Sequence, residues 1–442
     1  MVDWQFLKAV LENTGCHLNF SNAIMALYNH PTARVHSSGY YSDPFCIYNG
    51  TRQGCPMSPL LFALCIEPLA QRVRLNPDIT GINIGKDTFK IALFADDTLL
   101  TLTHPQTSLP NLFNEITNYA KLSGFRVNNS KSEAIAISLQ HHHQKLLEMN
   151  FEFKWRKDTM KYLGINLTPK HKELYNKNYP PMIQNLISLI NSWEKQHISW
   201  LGRLHTLKMM IVPKILYLFR TLPIPINVTD LEKLQKRMLT FLWNNKPHRI
   251  NKRVIMRSTL QGGLNFPNLL NYWKAAQLAQ MVKMHCSPTA VRWVALETQL
   301  LAPQSPRSIL WITQNHRSQI TLTNPILRHT MRLWDKLLVK HKPWISSDPS
   351  PFTPIVNNPE FPPGTDSQAF QWWTTNQYTD IGSLTPLGNL LTWDDLKQKK
   401  AIPNREFFRY AQIKHFIQSK PGRSNRQKTT FERLSYHPHH KQ

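Results

Sequence analysis

Apolar residues recur at helical spacing near the start of the chain. Between Asp3 and Gly15 they share one helical face: Phe6, Leu7, Val10 and Leu11. Asp3 suits the N-cap, because its carboxylate can accept hydrogen bonds from unpaired backbone N–H groups, and Gly15 suits the end of the helix. The same spacing predicts a second helix over about 20–28, and an apolar run predicts a short strand over 45–48.

Helical periodicity returns at Ser58. This serine and Pro59 predict the N-cap and the first position of a helix that continues to about Arg74. Another helix is predicted over 109–122, where Gly124 ends it.

Short apolar runs predict strands between and after these helices: 89–95, 98–103, Val127 and 134–137. The first two strands flank the polar pair Asp96 and Asp97. Helices and strands mixed in this order predict an α+β fold up to about residue 170.

The chain beyond residue 170 is helical first and rich in tryptophan and proline later. Amphipathic helices are predicted in its first part: 179–193, 200–217 and 231–243. We expect residues 286–442 to be rich in loops, which dominate proline-rich stretches such as 348–363, and the tail from Lys420 to be disordered. We expect the tryptophans of this last part to pack in a core rather than to stack on bases.

Charge separates the same regions. The chain has 53 Lys and Arg against 27 Asp and Glu, a net charge of +26 over 442 residues. Residues 1–150 hold equal numbers of basic and acidic side chains, so the whole excess lies beyond residue 150. We therefore divide the chain into an α+β domain (1–170), a helical basic domain (171–285) and a Trp/Pro-rich region with a basic tail (286–442). Such an excess indicates a polyanionic partner, most often nucleic acid, although surface charge for solubility is the alternative.

Composition limits the class of protein. Hydrophobic residues make up 41% of the chain, enough to bury cores and to exclude wholesale disorder. The five cysteines are an odd number without a C-x-x-C pair, so we expect neither a disulfide framework nor a zinc knuckle. The first residues do not resemble a signal peptide and no run reaches 18 apolar residues. We expect an intracellular protein, in the cytoplasm or the nucleus, with no membrane or disulfide partner.

Four segments could carry chemistry. Paired carboxylates between apolar strands, at Asp96 and Asp97, could hold Mg²⁺ through hard oxygen ligands, or could simply form a polar turn. The loop over 50–59 has glycines that permit close backbone approach to a ligand, or it is only a connection. The third segment runs from Gly124 to Lys131, a lysine in a turn that could reach a phosphate or could simply be solvated. The fourth segment, 161–165, is typical of a short strand that contains a glycine.

Taken together and in this order, the four segments resemble the reverse transcriptase of LINE-type non-LTR retrotransposons. The similar segments are 51–62 (motif B, template contact), 94–97 (motif C, catalytic), 124–131 (motif D) and 161–165 (motif E, primer grip). The resemblance continues through 199–203, 211–214 and 262–267. It covers residues 1–285 well, whereas 286–442 match only in general character.

The resemblance implies a partial right-hand polymerase palm followed by a mostly helical thumb and a loop-rich C-terminal region. It implies DNA synthesis from deoxynucleotides on an RNA template with a DNA primer, and Mg²⁺ as cofactor. Asp96 would be the main metal ligand and Asp97 would support it. The remaining implied roles are nucleotide and template contact for Arg52, Gln53 and Gly54, leaving-group protonation for Lys131, and primer positioning for Tyr162, Leu163 and Gly164.

The sequence also departs from the family. The family takes an essential aspartate from a strand before the first helix seen here. Only two residues precede Asp3, whose setting fits an N-cap, so we do not expect Asp3 to be that ligand. The fingers, the endonuclease and the C-terminal zinc-knuckle-like element are likewise not expected in this chain. We therefore expect a polymerase fragment that is inactive alone; the alternative is a non-enzymatic, nucleic-acid-binding remnant.

Overall fold

The computed structural model describes residues 3–419 with gaps at 52–53, 140, 152, 287–290, 302–308, 311–313, 315–323, 341–352, 357, 359–360, 367 and 386–388. The chain divides into two compact units, Met1–Leu174 and Tyr175–Gln442. The predicted basic tail from Lys420 lies outside the described residues.

The first unit mixes helices with short strands. Its helices are α1 (Trp4–Asn13), α2 (Leu18–Ala26), α3 (Ser58–Leu75), α4 (Pro105–Ser123) and α5 (His141–Asn150). Its strands are β1 (Thr32–Ala33), β2 (His36–Ser37), β3 (Tyr40–Tyr41), β4 (Phe45–Cys46), β5 (Ile82–Ile84), β6 (Asp87–Phe89), β7 (Ile91–Phe94), β8 (Asp97–Leu100), β9 (Glu133–Ile135), β10 (Lys154–Arg156), β11 (Met160–Tyr162) and β12 (Ile165–Leu167).

These strands form two-stranded pairs. Within the described residues, β9 and β10 are parallel, whereas the pairs β1–β4, β2–β3, β5–β6, β7–β8 and β11–β12 are antiparallel. Pairs of this size are marginal alone, so they depend on the helices they pack against.

Two hydrophobic clusters hold the first unit together. One joins α1, α2 and α3 through Leu7, Leu11, Ile24, Leu61 and Cys65. The other joins α3, α4 and β7, and its buried members are Ala70, Val73, Ile79, Ile91, Leu109, Leu112 and Leu147. Tyr119 of α4 donates a hydrogen bond to the Cys65 carbonyl, which ties α4 to α3. Burial raises the pKa of the Cys65 thiol to about 11.

The second unit is helical. Its helices are α6 (Leu174–Glu194), α7 (Trp200–Thr206), α8 (Val212–Thr221), α9 (Val228–Leu242), α10 (Lys252–Ile255), α11 (Leu269–Cys286), α12 (Arg292–Leu301), α13 (Pro325–Lys340), α14 (Gln371–Thr375), α15 (Ile381–Leu384), α16 (Trp393–Lys400) and α17 (Phe407–Ser419). A π-helical segment, Leu207–Ile211, joins α7 to α8. The Gln277 side chain of α11 donates to the Phe219 carbonyl of α8, so these two helices are linked by a buried hydrogen bond as well as by packing.

The C-terminal stretch has a core of its own. Its cluster, which we call the C-terminal core, is drawn entirely from residues between Ile355 and Ile417. Trp373 is fully buried there, and its indole N–H donates to the Glu406 carboxylate at 2.9 Å. A separate cluster around α11, α12 and α13 buries Trp334 completely. The prediction that tryptophans of this region pack in cores is confirmed at both positions.

Several local predictions are wrong. Ser58 is the first residue of α3 rather than its N-cap, because Met57 already has helical φ and ψ. Val127 lies outside the strands, since the Asn128 side chain accepts from the Lys131 backbone and stabilises a turn over Asn129–Lys131 instead. The described part of 286–442 is also more helical than predicted, with apolar side chains such as Leu327, Met331 and Trp334 sharing a helical face.

Two predicted helix boundaries are confirmed. Asp3 is the N-cap of α1, where its carboxylate accepts from the backbone N–H groups of Gln5 and Phe6. Gly124 ends α4 in the left-handed conformation. No helix in the described part of the chain is both long enough and apolar enough to cross a membrane.

Candidate functional site

The β7–β8 hairpin carries the two candidate metal ligands. Its strands pair from Ile91 with Leu100 to Phe94 with Asp97, which leaves Ala95 and Asp96 as a two-residue turn. Ala95 has φ of 49°, a left-handed conformation that costs a residue with a side chain about 1–2 kcal/mol. Strain of this kind persists only where the surroundings impose it, and it concentrates at functional sites.

The hairpin is held on one side and open at its tip. Ile91 is buried in the cluster with α3 and α4, and Leu93 and Leu100 pack against the same cluster. Asp96 and Asp97 are both exposed. The apolar strands therefore fix the backbone, while the carboxylates face solvent where a ligand can reach them.

The donor set at this tip suits a hard divalent cation. Among the residues described, neither Asp96 nor Asp97 has a hydrogen-bonded or ion-paired side chain, so their oxygens are available. Carboxylate oxygens are ligands that Mg²⁺ prefers. The described residues do not contain a group of three His, Cys, Asp or Glu placed to hold a metal ion. Two adjacent carboxylates therefore fit part of a Mg²⁺ site.

The predicted strand over 161–165 is a hairpin. Tyr162 ends β11 and pairs with Ile165, the first residue of β12. Leu163 and Gly164 between them have φ of 45° and 77°, the two left-handed conformations that a tight two-residue hairpin turn requires. Only the glycine indicates this turn at the level of sequence, because a leucine rarely adopts positive φ.

The negative charge of Asp97 acts on Tyr162. Burial and, in addition, the negative charge of Asp97 raise the pKa of the Tyr162 hydroxyl. One predicted primer-grip residue and one predicted metal ligand, 65 positions apart in the chain, therefore influence each other electrostatically. The phenol stays protonated at neutral pH and can donate a hydrogen bond.

Lys131 lies two residues before β9 in the chain. It ends the short turn over Asn129–Lys131 and its side chain is exposed. Two residues later Glu133 forms an ion pair with Arg156 and accepts a hydrogen bond from the backbone of Lys161 at 3.4 Å. The Arg156 hydrogen bond is the main cause that lowers the pKa of Glu133. The Glu133 carboxylate therefore links β9, which follows the turn of Lys131, to β11 by a hydrogen bond.

Glu133 and Arg156 are residues that the sequence reasoning missed. Nothing in their spacing marks them, because their partnership depends on the parallel pairing of β9 with β10. They position the strand that carries Tyr162 rather than facing a ligand themselves.

The loop before α3 completes the predicted set. Gly54 has φ of 85°, and a Cβ placed there would meet nothing within 4 Å, so this side of the loop is open. At its start, the Trp4 indole donates to the Gly50 carbonyl at 2.9 Å, which anchors the loop to α1. Arg52 and Gln53 lie outside the described residues.

Comparison with known proteins identifies a family that is similar to the first part of the chain. The family model described as reverse transcriptase (RNA-dependent DNA polymerase) matches residues 1–167. The match therefore includes the β7–β8 hairpin, the Lys131 turn and the β11–β12 hairpin.

Curated relatives extend the similarity. The chain is 21% identical over 431 residues to the Transposon TX1 uncharacterized 149 kDa protein of Xenopus laevis, covering 94% of this chain and 32% of that protein. It is 25% identical over 278 residues to the Pol polyprotein from the R2DM retrotransposable element of Drosophila melanogaster, covering 60% and 25% respectively. It is 26% identical over 218 residues to a Pol polyprotein from the R2 element of Popillia japonica, covering 47% and 29%. The chain thus spans a third or less of the length of these relatives.

Proposed function

We propose, from the premise that residues 1–167 belong to the reverse transcriptase family of non-LTR retrotransposons, that this chain is the palm-and-thumb part of an RNA-directed DNA polymerase. The observation that carries the proposal is the strained β7–β8 hairpin, which exposes Asp96 and Asp97 on strands that pack on the core of the unit. The reaction is nucleotidyl transfer from a deoxynucleotide to a primer 3′-hydroxyl, directed by an RNA template.

The role proposed for Asp96 and Asp97 is to hold Mg²⁺. When bound, the ion supplies electrostatic stabilisation of the attacking and leaving oxygens during transfer. The support comes from carboxylates that are exposed, lack cationic partners among the described residues, and are fixed by strands packed on the unit's core. Asp96 in the turn is the principal ligand and Asp97 at the start of β8 supports it.

Lys131 is proposed as the group that protonates the leaving pyrophosphate. It is exposed at the end of a turn that Asn128 fixes through its side chain and carbonyl. Among the described residues no carboxylate pairs with the Lys131 ammonium, so this charge is available to an anionic ligand. Proton donation by a positioned side chain contributes about 100- to 10,000-fold in enzymes.

The β11–β12 hairpin is proposed to position the primer terminus. Tyr162 can donate a hydrogen bond toward it, and the tight turn at Leu163 and Gly164 lets backbone approach closely. Arg52, Gln53 and Gly54 are proposed to contact the template and the incoming nucleotide. The basic side chains beyond residue 150 would follow the phosphates of template and primer.

A second function is nucleic-acid binding without synthesis. The observation that favours it is the engagement of Asp3, whose carboxylate caps α1 and is not free to complete a metal site. The described residues also lack a three-ligand group. Binding of this kind would weaken with salt, with log K falling by roughly 0.7–0.9 for each phosphate contact per unit of log salt, and would not respond to Mg²⁺.

Primer extension separates the two functions. The purified chain is given an RNA template annealed to a DNA primer, deoxynucleotides and Mg²⁺, and is compared with Asp96→Asn and with Asp43→Asn. Asp43 is an exposed aspartate elsewhere in the same unit and serves as the matched control. The first function predicts extension by the chain and by Asp43→Asn, with a loss of about 100-fold or more in Asp96→Asn. The expectation that the fragment is inactive alone predicts no extension by any of the three.

Metal binding can be measured on the same variants as an independent test. Mn²⁺ bound in place of Mg²⁺, followed by electron paramagnetic resonance, should be reduced in Asp96→Asn and unchanged in Asp43→Asn. Equal extension and equal Mn²⁺ binding in both variants would refute the assigned site. Salt-dependent binding with no extension by any variant would favour the second function.

A further inference from the structure

Aromatic and cationic side chains lie at the surface around the start of α17. We call this surface the aromatic strip; it consists of Trp393, Lys397, Phe407, Phe408 and Arg409. Phe407 and Phe408 expose 54% and 66% of their surface, although they are adjacent in the chain. Two neighbouring phenylalanines open to solvent form a larger apolar surface than the single exposed residues usual on soluble proteins.

The rings and charges of the strip form two contacting groups, Trp393 with Phe407 and Lys397, and Phe408 with Arg409. The Trp393 and Phe407 rings are 5.1 Å apart, edge to face. The Lys397 ammonium lies 5.8 Å from the centre of the Trp393 ring, and the Arg409 guanidinium carbon lies 6.0 Å from that of Phe408. The strip therefore presents ring surface and positive charge side by side.

The exposure is not caused by a lack of space in a core. The other side of α17 is buried in the C-terminal core through Tyr410, Ile413 and Phe416. Phe361 and Phe370, from elsewhere in the stretch, fill the same core. The chain thus buries some phenylalanines in this region and leaves Phe407 and Phe408 outside, at a loss of hydrophobic stabilisation that a ligand would recover.

The charge around the strip favours an anion. Residues 393–419 contain six Lys and Arg but only three acidic side chains. Two of these acids are engaged: Asp395 in the capping box of α16 with Thr392, and Glu406 as the acceptor for the buried Trp373 indole. Arg405, two residues before Phe407 in the chain, is exposed, and its guanidinium lies 3.8 Å from the Glu406 carboxylate.

We propose that the aromatic strip binds single-stranded nucleic acid. Bases stack on Phe407 and Phe408, while Lys397, Arg405 and Arg409 contact phosphates. Aromatic faces interleaved with cations are the means by which proteins hold single strands without reading sequence, since every base has a stackable face. The inference rests on the proposed function, because a template is single-stranded before it is copied, and it gives a role to the region beyond residue 286.

A cross-linking experiment locates the contact on the full chain. A 20-nucleotide oligouridine that carries 5-iodouracil is bound without Mg²⁺, primer or nucleotides, and is irradiated; the cross-linked peptides are then sequenced. We expect adducts on the peptide that contains Phe407 and Phe408. Adducts confined to residues of the first unit would overturn the proposal.

Affinity measurements on variants test the stacking itself. Fluorescence anisotropy with the same oligonucleotide should show about 5- to 150-fold weaker binding for each of Phe407→Ala and Phe408→Ala. Phe408→Trp should retain affinity, whereas Phe408→Leu, which keeps apolar area but has no ring, should lose it. Phe20→Ala is the matched control, since Phe20 is 52% exposed on α2.

The pattern across these variants decides the outcome. Equal affinity of Phe408→Ala and Phe20→Ala for the oligonucleotide would refute the proposal. Equal affinity of Phe408→Leu and the parent chain would refute it as well, and would indicate that the surface binds an apolar protein partner. Retention in Phe408→Trp excludes unfolding as the cause of a loss. No measurement here requires synthesis, so a chain that fails primer extension can still support or refute the strip.

Discussion

Adjacent glycines before α11 provide a sharp test of the packing. A Cβ on Gly263 would lie 2.2 Å from the Arg257 carbonyl oxygen and 2.5 Å from its carbon. Both atoms are backbone, so no side chain can move aside and the loop itself must shift. Gly262 differs, because a Cβ there would meet nothing within 4 Å, and only its φ of 74° disfavours alanine.

The magnitude follows from the hydrogen bonds that the shift disturbs. Gly263, Leu264 and Asn265 donate backbone bonds of 2.9–3.0 Å back to residues 255–258. The Lys208 ammonium also donates to the Leu264 carbonyl at 2.8 Å. Three neutral bonds at about 1 kcal/mol each, with a charged bond at about 1.5 kcal/mol or more, give a loss of about 3–5 kcal/mol for Gly263→Ala.

The neighbouring variant has a smaller expected effect. Gly262→Ala places alanine in the left-handed region, which costs about 1–2 kcal/mol. The lower entropy of the unfolded alanine chain offsets about 0.4–1 kcal/mol of that. The net destabilisation is about 1 kcal/mol, so the two variants should differ by about 2–4 kcal/mol.

Hydrogen exchange with mass spectrometry measures this difference locally. The amides of residues 263–266 should exchange much faster in Gly263→Ala than in the parent chain, and only slightly faster in Gly262→Ala. Urea unfolding followed on the second unit should rank the variants in the same order. Equal protection in the two variants, or greater loss in Gly262→Ala, would refute the reasoning from the Arg257 contact.

Two further variants test the second unit. Trp373→Phe removes the indole N–H that donates to Glu406 and leaves this carboxylate in the C-terminal core without that hydrogen bond. Thermal unfolding should show a loss of about 1–3 kcal/mol, and unchanged stability would contradict the importance of the bond. Burial, with the nearby Arg332 and Lys336, lowers the pKa of His329 to about 4. Since the unfolded histidine binds its proton near pH 6.5, stability should fall as pH drops from about 6.5 toward 4, and a His329→Gln chain with the same acid profile would refute this assignment.

Local signals predict the elements of this chain well where a single physical cause dominates. Asp3 caps α1 because a short carboxylate can reach the free N–H groups, and Gly124 ends α4 because it tolerates positive φ. The predicted N-cap at Ser58 is wrong by one position, because the amino-acid sequence does not show that the backbone is already helical at Met57.

Features that depend on distant residues could not be predicted. The electrostatic effect of Asp97 on Tyr162 and the ion pair of Glu133 with Arg156 arise from how separate strand pairs pack, and no spacing along the chain encodes them. Positive φ at Ala95 and Leu163 is also invisible, because neither residue type favours it. The roles of Asp96, Lys131 and their neighbours remain predictions until the variants are measured.

The hydrophobic clusters bear on the order in which the chain can fold. The buried members of four of them come from successive stretches: 7–65, 70–147, 281–334 and 355–417. Each cluster can therefore close soon after its own stretch leaves the ribosome, without waiting for remote segments. Folding during synthesis would proceed from one cluster to the next, with the surface that carries Phe407 and Phe408 formed last.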